Sequence, residues 1–240
     1  MANQTKEFEK LLQEMREFLK RNLREEIPRP LIIELTGSPN SGKTTLINGV
    51  DSIFRHSAFK VYRPQEGAEV FRALSRKTPL YNLTTGAYGL INVSSAATGR
   101  DHDVVLLDRA LYDAHGWMIF WQRRGNLSKK EMAEFQKFFT NTLILDFIDL
   151  CLYVICSPEE AKRRAKLDAP TIIESKEGSY TDLKTTGELV EIFSQSYEEM
   201  KGAGKPVILI DSTELSKPQM FDKTIEAVFN AIKDKIAAKK

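Results

Sequence analysis

Two hydrophobic patterns alternate along the chain. Short segments that are apolar at nearly every position, bounded by proline, glycine or polar residues, are typical of buried strands. Five such segments cover residues 31–36, 59–63, 104–108, 150–155 and 206–211. Between them, apolar residues recur at three- and four-residue steps, which is the spacing of helices that bury one face. This spacing predicts helices around residues 46–54, 67–76, 117–121, 128–145, 189–200 and 225–236.

The alternation of strands and helices predicts an α/β fold. Continuous apolar strands that are each followed by a helix form a parallel sheet covered on both faces. We therefore expect a three-layer α/β/α sandwich with a five-stranded parallel sheet. Ligands of such folds bind beyond the carboxyl ends of the strands. Polar or reactive residues stand at those ends in this sequence: Thr36, Arg63, Asp108, Cys156 and Asp211.

Two segments are less regular than the rest. Residues 5–27 have the spacing of an amphipathic helix, which Pro28 and Pro30 end. That helix either packs on the outside of the domain or serves as an oligomerisation helix, which would allow a homodimer. Residues 80–99 stay unassigned because Gly86 and Gly89 interrupt them. We expect a helical extension over 1–29 and a nucleotide-binding domain over 30–240, with a lid around 158–182.

Composition and charge restrict the class of protein. The 240 residues have a formal net charge of +2, so nothing demands a polyanionic partner, and we expect no nucleic acid. No segment reaches the roughly 18 uninterrupted apolar residues of a membrane span. The N-terminus has no apolar signal core. Cys151 and Cys156 are five positions apart on one strand and would point to opposite faces, so a disulfide is not expected. A cytoplasmic protein fits best.

A phosphate-binding loop follows the first strand and precedes a helix. Residues 37–44 read Gly-Ser-Pro-Asn-Ser-Gly-Lys-Thr and match Gly-x-x-x-x-Gly-Lys-Ser/Thr at every fixed position. Glycines let the backbone turn its amides inward, and those amides bind phosphate together with the helix N-terminus. Lysine contacts the β- and γ-phosphates, and the threonine hydroxyl ligates Mg²⁺. The predicted nucleotide contacts are Gly37, Ser38, Asn40, Ser41, Gly42, Lys43, Thr44 and Thr45.

Charged residues at two neighbouring strand ends indicate the rest of the chemistry. Asp108 can hold Mg²⁺ with Thr44, and Arg109 can clamp phosphate in a bidentate manner. The alternative is that Asp108 is an ordinary strand-end residue that caps the next helix. Many ATP-driven machines place a water-activating acid where this chain has Arg109. Arg63 could hold an anionic acceptor and Glu66 could take a proton from its hydroxyl, although both also suit a solvated turn.

A basic helix and a group of aromatic residues complete the candidate set. Arg163 and Arg164 lie in the predicted lid, where an arginine can stabilise the charge that develops on a transferring phosphoryl group. The alternative is a solvated helix face with glutamate–arginine pairs. Tyr112 could stack on a base as part of an acceptor site, or lie in the core with Trp117 and Trp121.

These motifs resemble those of the P-loop kinases in the thymidylate kinase and deoxynucleoside kinase group. The matching segments are residues 37–44, 63–66, 108–112 and 157–164, and the resemblance spans about residues 30–235. It implies ATP as donor, Mg²⁺, and a nucleoside or nucleoside monophosphate as acceptor. It also implies catalytic roles for Lys43, Glu66, Asp108, Arg109 and the lid arginines. Ala110 departs from the group, where a serine or an aromatic residue usually follows the arginine.

Three functions remain open from the sequence. The first is phosphoryl transfer from ATP·Mg²⁺ to a small acceptor, with Lys43, Arg109 and a lid arginine spreading the developing charge. The second is a regulatory P-loop ATPase without a small acceptor. The sequence has neither the guanine-binding Asn-Lys-x-Asp motif nor an acid after Asp108, which makes this alternative weaker. The third is a kinase of a non-nucleoside acceptor.

Overall fold

The computed structural model describes residues 2–23, 30–99, 101–168 and 182–237. Five parallel strands form one sheet in the order β2-β3-β1-β4-β5. The strands are β1 Leu31–Gly37, β2 Val61–Tyr62, β3 Val104–Asp108, β4 Leu150–Ile155 and β5 Val207–Asp211. The strand order reverses at β1, between β3 and β4. The carboxyl end of β1 is therefore the topological switch point at which α/β sheets bind ligands.

Helices cover both faces of the sheet. On the first face they are α4 Pro79–Thr98, α5 Leu111–Arg123, α6 Lys129–Phe139, α7 Thr142–Leu145, α8 Pro158–Asp168 and α9 Leu183–Gly202, and on the second α1 Ala2–Phe18, α2 Lys43–His56 and α10 Lys217–Ala237. The one-turn helix α3 Gly67–Val70 follows β2. The expected three-layer α/β/α sandwich with a five-stranded parallel sheet is confirmed.

The alternation of side chains along β1 divides the core in two. Leu31, Ile33 and Leu35 pack among the residues of α2 and α10, whereas Ile32 faces α5 and α9. Successive strand residues point to opposite faces, so Glu34 and Thr36 share the face of Ile32. Both polar side chains are fully buried on that face. The Glu34 carboxylate is therefore buried between β1 and the helices of the first face, three residues before the phosphate loop begins.

The N-terminal helix packs against the second face of the sheet. Met15 and Leu19 are fully buried, and the Phe18 ring meets Phe229 of α10 edge-on at 5.3 Å between centroids. Residues Leu19–Leu23 continue α1 as a π-helical turn. The last part of the expected helix, residues 24–29, lies outside the described residues. The division into an extension and a kinase-like domain stays a prediction.

The helix α4 occupies the segment that the sequence left unassigned. Its glycines permit close packing rather than breaking the helix. A Cβ at Gly89 would lie 2.8 Å from the Ala110 Cα atom, and one at Gly86 would lie 2.7 Å from the Phe139 ring. Only glycine therefore lets α4 approach the start of α5 this closely. Two other helices are shorter than expected: the predicted helix 67–76 ends at Val70, and the predicted helix 128–145 divides into α6 and α7.

Two further expectations concern a disulfide bond and membrane-spanning segments. Cys151 and Cys156 are both buried and free, which confirms that they form no disulfide. Across the described ranges, none of the helices combines the length and the apolar character needed to cross a membrane.

Candidate active site

The phosphate loop connects β1 to α2 at the switch point of the sheet. Three of its residues have positive φ angles: Gly37 at 127°, Asn40 at 53° and Gly42 at 100°. A Cβ at Gly37 would lie 1.9 Å from the Val154 carbonyl oxygen, so the loop requires glycine there. The Ser38 amide donates to that same carbonyl at 3.1 Å. The loop geometry thus agrees with the cradle of inward-facing amides that binds phosphate.

Lys43 begins α2 and curls back over the loop. Its Nζ donates to the Ser38 carbonyl and, at 3.2 Å, to the Ser41 hydroxyl. The side chain is almost fully buried. Burial lowers the pKa of Lys43 to about 7, and the nearby Arg109 guanidinium acts in the same direction. A bound triphosphate would restore the charged ammonium, because an adjacent anion favours the protonated form.

Arg164 of the basic helix holds the phosphate loop from the outside. Its Nη1 donates to the Ser41 carbonyl and to the Ser212 hydroxyl, both at 3.0 Å, and its Nη2 donates to the Ser212 carbonyl at 2.7 Å. Its Nε donates to Glu160 at 2.6 Å. The Ser212 hydroxyl also donates to the Ser41 carbonyl at 2.9 Å. Arg164 is therefore a fixed support of the loop rather than an arginine that arrives with the nucleotide.

Arg163 is the exposed member of the predicted lid pair. Its side chain is 62% exposed and forms a bidentate ion pair with Glu160 at 2.6 and 2.7 Å. An exposed pair of this kind contributes little to stability, so Arg163 can change partner easily. The lid beyond Asp168, residues 169–181, lies outside the described residues.

Arg109 contacts two carboxylates, those of Glu66 and Asp113. It adopts a left-handed backbone conformation, with φ of 64°, which costs a non-glycine residue about 1 to 3 kcal/mol. Its Nη1 donates to Asp113 at 2.7 Å, and its Nε lies 3.2 Å from the Glu66 carboxylate. Burial raises the pKa of Glu66, and Arg109 opposes that shift. The two predicted residues Glu66 and Arg109 are therefore brought into direct contact.

Asp108 and Thr44 offer the oxygen ligands that Mg²⁺ prefers. The Asp108 carboxylate, at the end of β3, and the exposed Thr44 side chain line the same cavity. Hard oxygen donors of this kind fit Mg²⁺, which commonly takes one or two protein ligands together with phosphate oxygens. Arg63 lies 4.0 Å from Asp108 and donates to Asn48. It borders the site but stands outside the set that lines the cavity.

The cavity joins these residues into one site. It has a volume of about 450 Å³ and lies over the carboxyl ends of β1 and β3. It is lined by Asn40, Ser41, Gly42, Lys43, Thr44, Thr45, Leu46, Glu66, Asp108, Arg109, Glu160, Arg163, Arg164, Leu167, Leu215, Ser216, Lys217 and Met220. Six of the eight residues expected to contact the triphosphate, all except Gly37 and Ser38, thus share one space with the six residues expected to be catalytic.

The position of Tyr112 corrects one expectation. Its side chain is fully buried and meets the Tyr153 ring edge-on at 6.2 Å, so it cannot contact an acceptor. Trp117 and Trp121 also lie in the core. An aromatic residue after a strand end has the same sequence signature whether it packs inward or binds a ligand. The helix turn that follows Ala110 directs Tyr112 inward.

Tyr81 of α4 is a residue that sequence reasoning missed. Its side chain is 7% exposed, and within the described residues its hydroxyl has no hydrogen-bond partner. Burial raises the pKa of Tyr81, and the Arg76 guanidinium, 5.6 Å from the ring centroid, opposes that shift. Gly67, next to Glu66, lies against Thr85, one turn along α4 from Tyr81. An unpartnered buried hydroxyl calls for an explanation, and the binding of an acceptor would provide one.

Comparison with known proteins bears on the fold. No protein-family model matches the sequence, and no curated protein matches it by sequence. Three solved structures of deoxyadenosine kinase from M. mycoides are similar in fold. The structure with dCTP superimposes with a TM-score of 0.54 at 14% identity, covering 85% of this chain and 100% of that chain.

The two other structures give closely similar values. The one with dATP has a TM-score of 0.55 at 16% identity and covers 85% of this chain and 99% of that chain. The one with the products dCMP and a flexible dCDP has a TM-score of 0.57 at 16% identity, with coverage of 85% and 100%. The chain therefore has the fold of the P-loop deoxynucleoside kinases, as the resemblance of its motifs implied.

Proposed function

We propose that the chain is an ATP- and Mg²⁺-dependent phosphotransferase acting on a small acceptor, a nucleoside or nucleoside monophosphate. One observation carries this proposal: Lys43, Arg109 and Glu66 line the same cavity. A lysine for the donor phosphates, an arginine for the developing charge and a carboxylate for the acceptor are the groups that phosphoryl transfer requires. The fold shared with deoxyadenosine kinase supports it.

The donor binds through the phosphate loop. Inward amides of residues 40–43 and the N-terminus of α2 hold the β- and γ-phosphates, and Lys43 adds a charge once the triphosphate restores its proton. Thr44 and Asp108 would hold Mg²⁺, which neutralises phosphate charge when bound. Leu215, Ser216 and Met220 line the same cavity and would offer a surface for the adenine.

The acceptor attacks the γ-phosphorus from the side of Glu66. An acceptor hydroxyl transfers its proton to the Glu66 carboxylate as its oxygen bonds to the γ-phosphorus. The bond from that phosphorus to the bridging oxygen breaks, and ADP leaves. The raised pKa of Glu66 suits this role, because a base works best with a pKa near the working pH. Arg109 stabilises the charge that spreads over the γ-phosphoryl oxygens.

The charge balance of the acceptor side favours a nucleoside over a monophosphate. Arg109 already faces Asp113 and Glu66, and Arg63 faces Asp108. An acceptor that carries its own phosphate would have to compete with these carboxylates for both arginines. A neutral hydroxyl adds no charge and fits the uncharged helix α4, which contributes Tyr81.

An acceptor panel tests the proposal. We expect ADP release from ATP·Mg²⁺ to rise at least tenfold when one of a set of nucleosides and monophosphates is added. Lys43→Ala should abolish this activity, and Lys130→Ala, which changes an exposed lysine on α6, should not. Hydrolysis that is independent of every acceptor, yet lost in Lys43→Ala, would instead indicate a regulatory ATPase. Activity confined to non-nucleoside acceptors would correct the substrate class.

Three other expectations from the sequence concern the cellular location, the oligomeric state and the binding partners. A cytoplasmic location and a homodimer stay predictions, as does the absence of a nucleic-acid partner. The near-neutral net charge of +2 supports the last of these.

A further inference from the structure

Glu34 is a buried carboxylate that the proposed chemistry does not use. It lies in the middle of β1, three residues before the phosphate loop, and is fully buried. Each of its oxygens accepts two backbone hydrogen bonds. Oε1 accepts from the amides of Ala110 and Asp113, both at 2.9 Å, and Oε2 accepts from those of Leu111 at 3.0 Å and Tyr112 at 3.2 Å.

These four amides form the N-terminus of α5. The first amides of a helix lack partners within the helix, and a local side chain usually caps one of them. The residue at the cap position is Ala110, which provides no side-chain acceptor. Glu34 supplies the acceptors from 76 to 79 residues away along the chain. Burial raises the pKa of Glu34 to about 7, while the backbone amides act in the opposite direction.

Two neighbours of Glu34 on β1 bind the same segment. The Leu35 carbonyl accepts from the Arg109 amide at 3.0 Å. The Thr36 hydroxyl donates to the Asp113 carboxylate at 2.7 Å, which is the carboxylate that Arg109 also binds. Three consecutive residues of the strand that leads into the phosphate loop thus hold residues 109–113. A local cap at position 110 would hold the helix end but would not connect it to β1.

We propose that Glu34 is a positioning residue that fixes Arg109 and Asp113 relative to the phosphate loop. It holds the amide of Ala110, directly after the left-handed turn at Arg109, and the amide of Asp113, the partner of the Arg109 guanidinium. Hydrogen bonds from the amides of Arg109 and Ala110 to β1 hold the strained backbone of that turn in place. This inference rests on the proposed function, because Arg109 is taken as the group that stabilises the transferring phosphoryl.

Glu34→Gln is the most informative substitution. The amide side chain has nearly the same shape, but one of the two oxygens becomes an NH₂ donor. Since each oxygen accepts two amides, that NH₂ faces two donors whichever way the side chain is turned. We expect kcat to fall about 10²-fold, the effect of misplacing a reacting group by about 1 Å, while the KM for ATP changes less than about threefold.

A second readout does not depend on activity. The Nε–H group of Arg109 lies against Glu66 and should give a protected resonance in ¹⁵N NMR spectra, identified by its loss in Arg109→Lys. We expect Glu34→Gln to shift or broaden that resonance. If the wild-type protein phosphorylates no acceptor, the proposed function fails, and the Arg109 resonance still shows whether Glu34 positions that side chain.

Ser196→Ala provides the matched control. The Ser196 hydroxyl is fully buried on α9 and lies 2.9 Å from His115 and 3.0 Å from Tyr153, so its loss also disrupts a buried polar network. It should lower the melting temperature and leave kcat and the Arg109 resonance unchanged. If Glu34→Gln behaves in the same way, Glu34 only caps a helix and the inference is wrong. Should Glu34→Gln not fold, Glu34→Asp keeps the charge with a shorter reach and is judged by the same criteria.

Discussion

The donor and acceptor sides of the cavity are built by different means. The donor side is made of contiguous residues 37–44, whose backbone forms the binding surface and whose support by Arg164 and Ser212 consists of bonds to backbone carbonyls. The acceptor side consists of side chains from separate segments, Glu66 and Arg109, and Tyr81 of α4 is not among the residues that line the cavity. There the contacts are ion pairs between side chains, and one buried hydroxyl lacks a partner in the described structure.

The difference has a consequence for both stability and specificity. A loop whose backbone is fixed by glycine conformations binds any triphosphate in nearly the same way. A cluster of three carboxylates around Arg63 and Arg109 depends on charge balance, so one substitution affects several partners. Under the proposed function, the donor side would determine that phosphate is bound, and the acceptor side would determine what receives it.

Outside the phosphate loop, the largest expected effect is on the acceptor side, in Arg109→Ala. We expect kcat to fall roughly 10²- to 10³-fold, because the group that stabilises the transferring phosphoryl is lost. The free energy of unfolding should also fall by about 3 kcal/mol, because Asp113 is left buried without its cation. Steady-state kinetics and urea unfolding measure the two effects.

A double variant separates these two losses. Arg109→Ala with Asp113→Asn removes the unpaired charge, so stability should largely return while kcat stays low. Recovery of kcat together with stability would show that Arg109 acts only as a structural partner of Asp113.

The two adjacent lid arginines should give opposite kinetic patterns. Arg164→Ala removes the support of the Ser41 and Ser212 carbonyls, so the KM for ATP should rise about tenfold with a smaller change in kcat. Arg163→Ala leaves the loop intact and should lower kcat by about tenfold or more. Equal effects of both variants on KM would contradict the distinction between a fixed support and an exchangeable arginine.

The donor side should show a characteristic pH dependence. The pKa of Lys43 is lowered to about 7 in the free protein, and bound triphosphate raises it. Binding above pH 7 therefore takes up a proton, and the affinity for a non-hydrolysable ATP analogue should fall as pH rises, by up to about tenfold per unit. Calorimetry in buffers of different ionisation enthalpy measures the uptake.

Lys43→Arg is the control for this dependence, because an arginine stays charged throughout the range. Its affinity should vary little between pH 7.5 and 9.5. A wild-type affinity that is equally flat would mean that Lys43 is already protonated in the free protein.

The smallest expected effect is that of Tyr81→Phe. Removing a hydroxyl that has no partner in the described structure should leave the melting temperature unchanged or slightly higher. The KM for the acceptor should rise about three- to tenfold, the effect of one hydrogen bond, with the KM for ATP unchanged. Thr84→Val, on the outer face of the same helix, is the control. An unchanged acceptor KM in Tyr81→Phe would remove Tyr81 from the site.

The same contrast explains how much the sequence could predict. The strands and the phosphate loop depend on local patterns, and the bounds of β3 and β4 agree with the prediction at both ends. The helix α4 was missed because glycine usually ends helices, whereas here Gly86 and Gly89 are needed where α4 contacts Ala114 and Ala110. That requirement comes from tertiary packing and has no local signature.

Individual side chains were harder to place than elements. The contact of Glu66 with Arg109 follows from their strand ends, but the fixed position of Arg164 depends on Ser212, 48 residues away. The sequence leaves Tyr112 open between a ligand role and the core, and the structure buries it in the core. Glu34 carried a usable signal that was overlooked: a lone carboxylate within an apolar strand must find hydrogen-bond partners, and such partners often lie at a helix N-terminus.

The most direct test of phosphoryl transfer is the fate of the γ-phosphate. The protein is incubated with γ-³²P-labelled ATP, Mg²⁺ and a mixture of nucleosides and nucleoside monophosphates, and the labelled products are separated. We predict that the label appears on an acceptor, with little inorganic phosphate, and that none is transferred by Lys43→Ala. Label recovered only as inorganic phosphate, at a rate that acceptors do not change, would contradict the proposed function.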